Sequence, residues 1–327
     1  MASKEFYGSK MKNLAVIYHY FEVNDTYRDN LTFFLNNGIQ EDADYYFFIS
    51  GECTAPLIEQ YNVRFIFIEN RNHDFGGVSE FSRLYGNLGY EFYIFLNSSM
   101  RGPFVPTYFI SPWHIAFTSR LSEQTVIIGS SINLLPETSG HSIHFGENFN
   151  YKPPYIHVQT TAYALSRKAF NHLHKSQVLT TKHKLDKTEI VSSYEIRISQ
   201  EIMSQGWSIG ALLPLYEQFN HCNFELEFNG TLKNGDPLYK NAFFHRSVHP
   251  YETIFIKTNR NMIDDSDLAS LTFTSLAVMK KHGSLTQSGQ ELLLKSYENL
   301  SDSNMRRRNR TSVVKRLTGR VRRFFAR

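Results

Sequence analysis

Only two cysteines, Cys53 and Cys222, occur in the 327 residues, and neither sits in a metal-ligand spacing. That excludes a disulfide-stapled secreted scaffold and a cysteine-built zinc site, and makes a reducing compartment the expectation. Long apolar runs are missing as well. No stretch approaches the roughly 18 apolar residues that span a bilayer, and residues 1–10 carry no signal-peptide core, so the chain is expected to be cytoplasmic. No internal repeat appears, and no low-complexity segment precedes residue 306. Acid is missing from one place: residues 306–327 hold ten Lys or Arg and no Asp or Glu.

What is present indicates a substantial core. Apolar residues make up 41% of the chain and aromatic residues 15%, mostly Phe and Tyr, enough for one large core or two modest ones. The net charge of +4 conceals an asymmetry. Ten of the 35 basic residues lie in the tail, which leaves 25 against 31 acidic residues and a net −6 over residues 1–305.

Four apolar, β-branched and aromatic runs, at residues 14–21, 45–50, 65–68 and 93–96, read as buried strands. Residues 27–36 read as a helix closed by Gly38, and residues 78–85 place Val78, Phe81, Leu84 and Tyr85 at helical spacing. Strands alternating with helices predict a mostly parallel α/β sheet, with ligands at the carboxyl ends of the strands. Farther on, TVIIGSSINLL reads as a strand, and HSIHFGENFNYKPP as a loop because Gly146, Pro153 and Pro154 interrupt it. HVQTTAYALSRKAFNHL reads as strand, Ser166 N-cap and helix. VSSYEIRISQEIMSQGWSIGALLP reads as a helix stopped by Gly206, then a strand. Residues 264–300 look helical and polar.

The third and fourth strands are followed by ENRNHDFGGVSEF and by YIFLNSSMRGP. This pairing resembles the nucleotide-sugar half of family-2-type glycosyltransferases of GT-A fold, which carry an Asn- and Gly-containing loop after the third strand and an Asp-x-Asp pair after the fourth. Here the second position reads Asn97, Ser98, Ser99. The string FFHRSVHPYETIFIKTNRN is likewise similar to strings in bacterial glycosyltransferases that carry FLNSS at that place. The resemblance implies a GT-A-like, Rossmann-like domain over residues 11–260, after an N-terminal extension at 1–10 and before a helical extension at 261–305. It also implies that the loops after the first two strands, around Tyr18 and residues 50–52, receive the base and ribose, and that Asn70, Asn72 and Asp74 contact ribose or sugar hydroxyls.

Glycosyl transfer requires a base for the acceptor hydroxyl and countercharge for the departing diphosphate. Glu195 holds the place of the family's acceptor-facing acid, although the residue beside it is Ile196 rather than Asp, and a partly desolvated carboxylate suits a general base. The string Ser192-Ser-Tyr-Glu195 also fits a capping box, in which the glutamate only satisfies a backbone N–H. Asn97, Ser98 and Ser99 offer neutral oxygens, whereas Mg²⁺ and Mn²⁺ prefer carboxylates, so no cofactor is expected and Asp74 is left as a lone candidate metal ligand. Fixed cations then have to take the diphosphate charge. Arg101, His249, Lys257 and Arg260 are the candidates, with the backbone N–H groups of Gly76 and Gly77 at the start of a helix. His141, His144, His172 and His174 have no metal spacing.

Residues 306–327 place Val313, Val314, Leu317, Val321, Phe324 and Phe325 near one helical face opposite Arg and Lys. Such a helix suits an anionic membrane surface, here the inner face of the cytoplasmic membrane, whereas a nucleic-acid arm would not need the apolar stripe. The expectation is an inverting, metal-independent glycosyltransferase that acts on a surface or lipid-linked glycan from a nucleotide-sugar donor. Two alternatives stand beside it: an inactive sugar-nucleotide or glycan binder, and a nucleotidyltransferase.

Overall fold

The run LAVIYHYF forms the strand on which the other elements are laid. In the computed structural model, which describes residues 12–181, 184–216 and 235–301, β1 (Leu14–Phe21) is buried at seven of its eight positions. A strand covered on both faces needs such a continuous apolar run. Next come α1 (Asp25–Asn37), β2 (Ala43–Ser50), β3 (Val63–Ile68), α2 (Phe75–Tyr85) and β4 (Phe92–Asn97). After these follow β5 (Met100–Arg101), α3 (Ile115–Thr118), β6 (Thr125–Gly129), β7 (Ile132–Leu134), α4 (Gly140–Asn148), β8 (Ile156–Val158), β9 (Ala162–Ser166) and α5 (Arg167–Lys175). The first unit closes with α6 (Lys187–Ile190), a π-helical turn at Val191–Ile196, α7 (Arg197–Ser204), β10 (Ser208–Ala211), α8 (Pro250–Thr253) and β11 (Ile256–Lys257). The expected extension at 1–10 and the basic tail at 306–327 lie outside the described residues.

Seven strands share one sheet in the order β10-β6-β9-β4-β1-β2-β3. β9 runs antiparallel to both of its neighbours, and the other pairings are parallel. The expected α/β class, with a mostly parallel sheet flanked by helices, is therefore observed. The chain lays β2 and β3 to one side of β1 and then crosses to lay β4 on the other. In open α/β sheets this reversal leaves a crevice at the carboxyl ends of the two strands, here at the end of β1 and at Asn97.

Aromatic side chains cover both faces of the sheet. On one, Phe170 of α5 stacks on Tyr93 at 3.9 Å, and Phe81 of α2 meets Tyr46 at 5.2 Å and Tyr93 at 6.1 Å. On the other, Phe34 of α1 packs on Tyr18, Trp113 and Phe255, and the Trp113 Nε1–H donates to the Gly38 carbonyl at 2.8 Å. Each such buried ring contributes roughly 1.5–3 kcal/mol.

Several local readings agree with the structure. Ser166 caps α5 by accepting from the Ala169 N–H, and Gly38 closes α1 with its N–H on the Phe34 carbonyl. Two readings are corrected. The string expected to be a loop contains α4, started by Ser139, whose hydroxyl oxygen accepts from the Ser142 N–H. Its Gly146 is used for closeness, since a Cβ there would come 2.9 Å from the Tyr155 hydroxyl. The expected capping box at Ser192 is also absent. The helix begins earlier, with a reciprocal box between Asp186 and Glu189, and Ser192 instead donates to the Glu189 carbonyl. Glu195 is thereby released from any capping duty.

The chain falls into two compact units, the first ending at Met262 and the second beginning at Ile263. Within the second, α9 (Asp265–Lys281) and a helical run at 287–301 are separated by Gly283, which has φ +71°, and Phe273 meets Tyr297 at 5.8 Å. Among the described residues no helix is long and apolar enough to cross a membrane.

Candidate active site

Asn97 ends β4 at this point of reversal and organises the turn that follows. Its side-chain oxygen accepts from the Ser99 N–H at 3.1 Å and the Ser99 hydroxyl at 2.6 Å, while its amide N–H donates to Asp74 Oδ2 at 2.8 Å. Ser98 donates to the Phe21 carbonyl at 3.1 Å and so ties the end of β4 to the end of β1. The serine hydroxyls, expected at a donor, are thus given to the protein. Asn97 turns an N–H, and not an oxygen, toward the Asp74 carboxylate. Among the described residues, no three His, Cys, Asp or Glu side chains come together as a possible ligand group.

Asp74 reaches Asn97 because α2 is pulled close to β1. Gly77 lies against the His19 ring, and a Cβ there would come 2.8 Å from His19 Cβ. His19 in turn meets the Ser50 hydroxyl at 2.7 Å. Asp74 precedes α2 without capping it, which leaves its carboxylate for Asn97. The expected anion-binding N–H of Gly76 is already donated to the His73 carbonyl. Asn72, at φ +61° and buried, accepts from the Leu185 N–H at 2.9 Å and so brackets the loop to the segment leading into α6. Asn70 is exposed and is not among the groups brought together.

The π-helical turn carries Glu195, partly buried, in the field of Asp74. Burial pushes its carboxyl up to about 7; Lys257 and Arg260 pull against this rise, and the negative charges of Asp74 and Asp236 add to it. Lys257 arrives by antiparallel pairing of β11 with β5, where it stands opposite Met100, and the next residue, Thr258, donates its N–H to the Ser99 carbonyl at 3.0 Å. Burial draws the Lys257 ammonium below its ordinary range, and Arg260 adds to the fall. Tyr163, wholly buried with its ring stacked on Phe95, lies in the field of Glu195, and its phenol is raised by burial and by that charge.

Arg260 is held by Asp236, and its guanidinium lies 4.1 Å over the Tyr239 ring. Sequence reasoning missed Asp236. Its only local signal was the turn composition of Asn234-Gly235-Asp236-Pro237, which says nothing of partners 24 or 77 residues away. Gly235 fixes it: at φ +72°, this residue accepts from the Leu134 N–H of β7 at 2.8 Å and leaves no room for a side chain against the Leu134 carbonyl.

Three expected site residues are placed elsewhere. Tyr18 is 1% exposed, packed between Phe34 and Phe47 in the core, so its ring has no open face for a base. Arg101 turns toward α1: its Nε–H donates to Asn30 at 2.8 Å, and Asp29 lies 3.8 Å away. Burial draws this guanidinium down to about 10. His249 caps α8, its ring accepting from the Tyr251 N–H at 3.2 Å and its backbone N–H donating to the Glu252 carboxylate at 2.8 Å.

The set linked by hydrogen bonds and by mutual electrostatic fields is thus Asn97, Asp74, Glu195, Lys257, Arg260 and Asp236: a carboxyl raised to about 7 in the field of two cations. No protein-family model matches the chain, and no curated protein matches it.

Proposed function

We propose that the chain is a glycosyltransferase of GT-A type that moves a sugar from a nucleoside-diphosphate donor to a hydroxyl of a glycan acceptor. The observation that carries this reading is Glu195, raised to about 7 by burial in the field of Lys257 and Arg260. A base with a pKa near the working pH is both ionised often enough to accept a proton and basic enough to take it. The acceptor hydroxyl gives its proton to a Glu195 carboxylate oxygen as its own oxygen attacks the anomeric carbon. The bond from that carbon to the diphosphate oxygen breaks, and the electron pair leaves with the diphosphate. Displacement from the opposite face inverts the anomeric centre.

Lys257 and Arg260 meet the charge that develops on the leaving diphosphate. In a partly desolvated cleft, preorganised cations stabilise such charge more than they would in water. This reading needs no metal ion, in keeping with the donor set at Asn97. The basic segment at 306–327, which lies outside the described residues, extends the reading to a lipid-linked or surface glycan reached from the inner face of a membrane.

The test is transfer by wild type and Glu195→Gln across a panel of nucleotide sugars. The variant is expected to lose about 10²–10⁴-fold in turnover while donor affinity stays within about threefold. Transfer at the wild-type rate by the variant would refute the role of Glu195. Failure of the wild type to bind or turn over any donor would refute the transferase reading.

A further inference from the structure

We propose that Asp236 is a positioning residue of this site, fixing the Arg260 guanidinium beside Lys257 and Glu195 so that it meets the departing diphosphate in one orientation. The proposal rests on the transferase reading and adds to it a residue that never touches substrate.

Both carboxylate oxygens of Asp236 are engaged. Oδ2 accepts from Arg260, and Oδ1 accepts from the Leu238 N–H at 2.8 Å and from Gln159 Nε2–H. Gln159 is held in turn, since the same Nε2 donates to Asn133 Oδ1 at 2.6 Å. Asn133 donates its own N–H to His157 Nε2 at 3.3 Å, and the Nδ1–H of that ring goes to the Tyr155 carbonyl at 3.1 Å. Burial holds His157 down to about 4, so the ring is neutral and free to accept from Asn133. A continuous row of side chains therefore runs from the antiparallel β7–β8 pair to Arg260. Asp236 anchors Nη1 of the guanidinium, and the Tyr239 ring lies against its face.

A buried ion pair is an expensive means of stability alone, because apolar side chains of the same volume often serve as well. Orientation is what a planar, doubly restrained guanidinium gains from it. Asp236 also has a charge that both Glu195 and Lys257 feel. The groups facing Glu195 are Asp74, Asp236, Lys257, Arg260 and Tyr163. Removing one of the two negative charges among them lowers the pH at which Glu195 ionises and makes the cleft more attractive to anions.

The experiment compares full-length wild type, Asp236→Asn, Arg260→Gln and the double variant in three measurements. These are transfer kinetics, calorimetric binding of inorganic pyrophosphate, and infrared titration of the carboxyl band that Glu195→Gln removes. Asp236→Asn is expected to lower kcat by about 10–100-fold, the scale of a misplaced group. Pyrophosphate affinity should be unchanged or up to about threefold tighter, and the Glu195 band should titrate at lower pH. In the Arg260→Gln background, Asp236→Asn should cost no further turnover. A general loss of structure would weaken pyrophosphate binding and would not spare the double variant.

A folded Asp236→Asn protein with wild-type kcat and an unmoved Glu195 titration would overturn the proposal while leaving the transferase reading intact. Absence of transfer by the wild type would overturn that reading, and the proposed role with it. If Asp236→Asn does not fold, Gln159→Met removes the strut and keeps the charge. It should lower kcat with the Glu195 titration unmoved, and full turnover in that variant would overturn the proposal.

Discussion

Neutralising Glu195 is expected to stabilise the fold as it abolishes transfer. The unfolded chain ionises this glutamate at its ordinary 4.5, and the folded chain at about 7. Between those values the unfolded chain releases a proton that the folded chain retains, so stability falls as pH rises from 4.5 to 7 and is level above 7. At 1.36 kcal/mol per pKa unit, the interval corresponds to roughly 3 kcal/mol as an upper bound. Two effects reduce it: the carboxyl is only partly withdrawn from solvent, and Lys257 loses a partner when Glu195 becomes an amide. A gain of about 1–2 kcal/mol for Glu195→Gln at pH 8 remains, or roughly 2–8 °C in thermal midpoint, with almost none at pH 4.5. Thermal and urea melts of both proteins at pH 4.5 and 8 measure it. A variant less stable than wild type at pH 8 would refute the reasoning, because it would mean that the charge supports the fold.

Two further outcomes follow from the same geometry. Arg101→Met should cost about 3 kcal/mol of stability by removing a buried guanidinium from Asn30 Oδ1 and from the field of Asp29, and the folded fraction should bind nucleotide as wild type does. A urea midpoint within error of wild type, or a selective loss of nucleotide affinity, would return Arg101 to the site. Transfer should be unaffected by EDTA, since Asn97 presents an N–H to Asp74 where an ion would need a second oxygen. Loss of activity that Mn²⁺ restores would contradict this.

The strands, the α2 crossover and the Ser166 cap were legible because each is written in a few neighbouring residues as periodicity or a capping side chain. α4 was not, because Gly146 counts as a breaker until the Tyr155 hydroxyl is seen packed against it. The site was half legible for a related reason. Strand ends can be found from composition, which located the turn at Asn97, and the resemblance to glycosyltransferase motifs pointed to Asp74 and Glu195, but the direction of each side chain depends on what packs over it. Tyr18 and His19 are adjacent, and only His19 turns toward α2. Arg101 follows the same strand end as Asn97 yet is claimed by α1. Asp236 was invisible, because its partners Gln159 and Arg260 belong to distant segments that only the folded chain brings together.

The π-helical turn at Val191–Ile196 constrains how this segment can vary in length. A regular α-helix advances 100° per residue, so a single deletion that restored the ordinary repeat would swing Glu195 away from Lys257 and Arg260 or, if Glu195 stayed, would rotate the apolar side of α7, with Ile198 and Ile202, off the core. Gaps between this chain and any sequence that shares its chemistry should therefore fall outside residues 190–197, and a gap within them would mark a protein whose carboxylate points elsewhere.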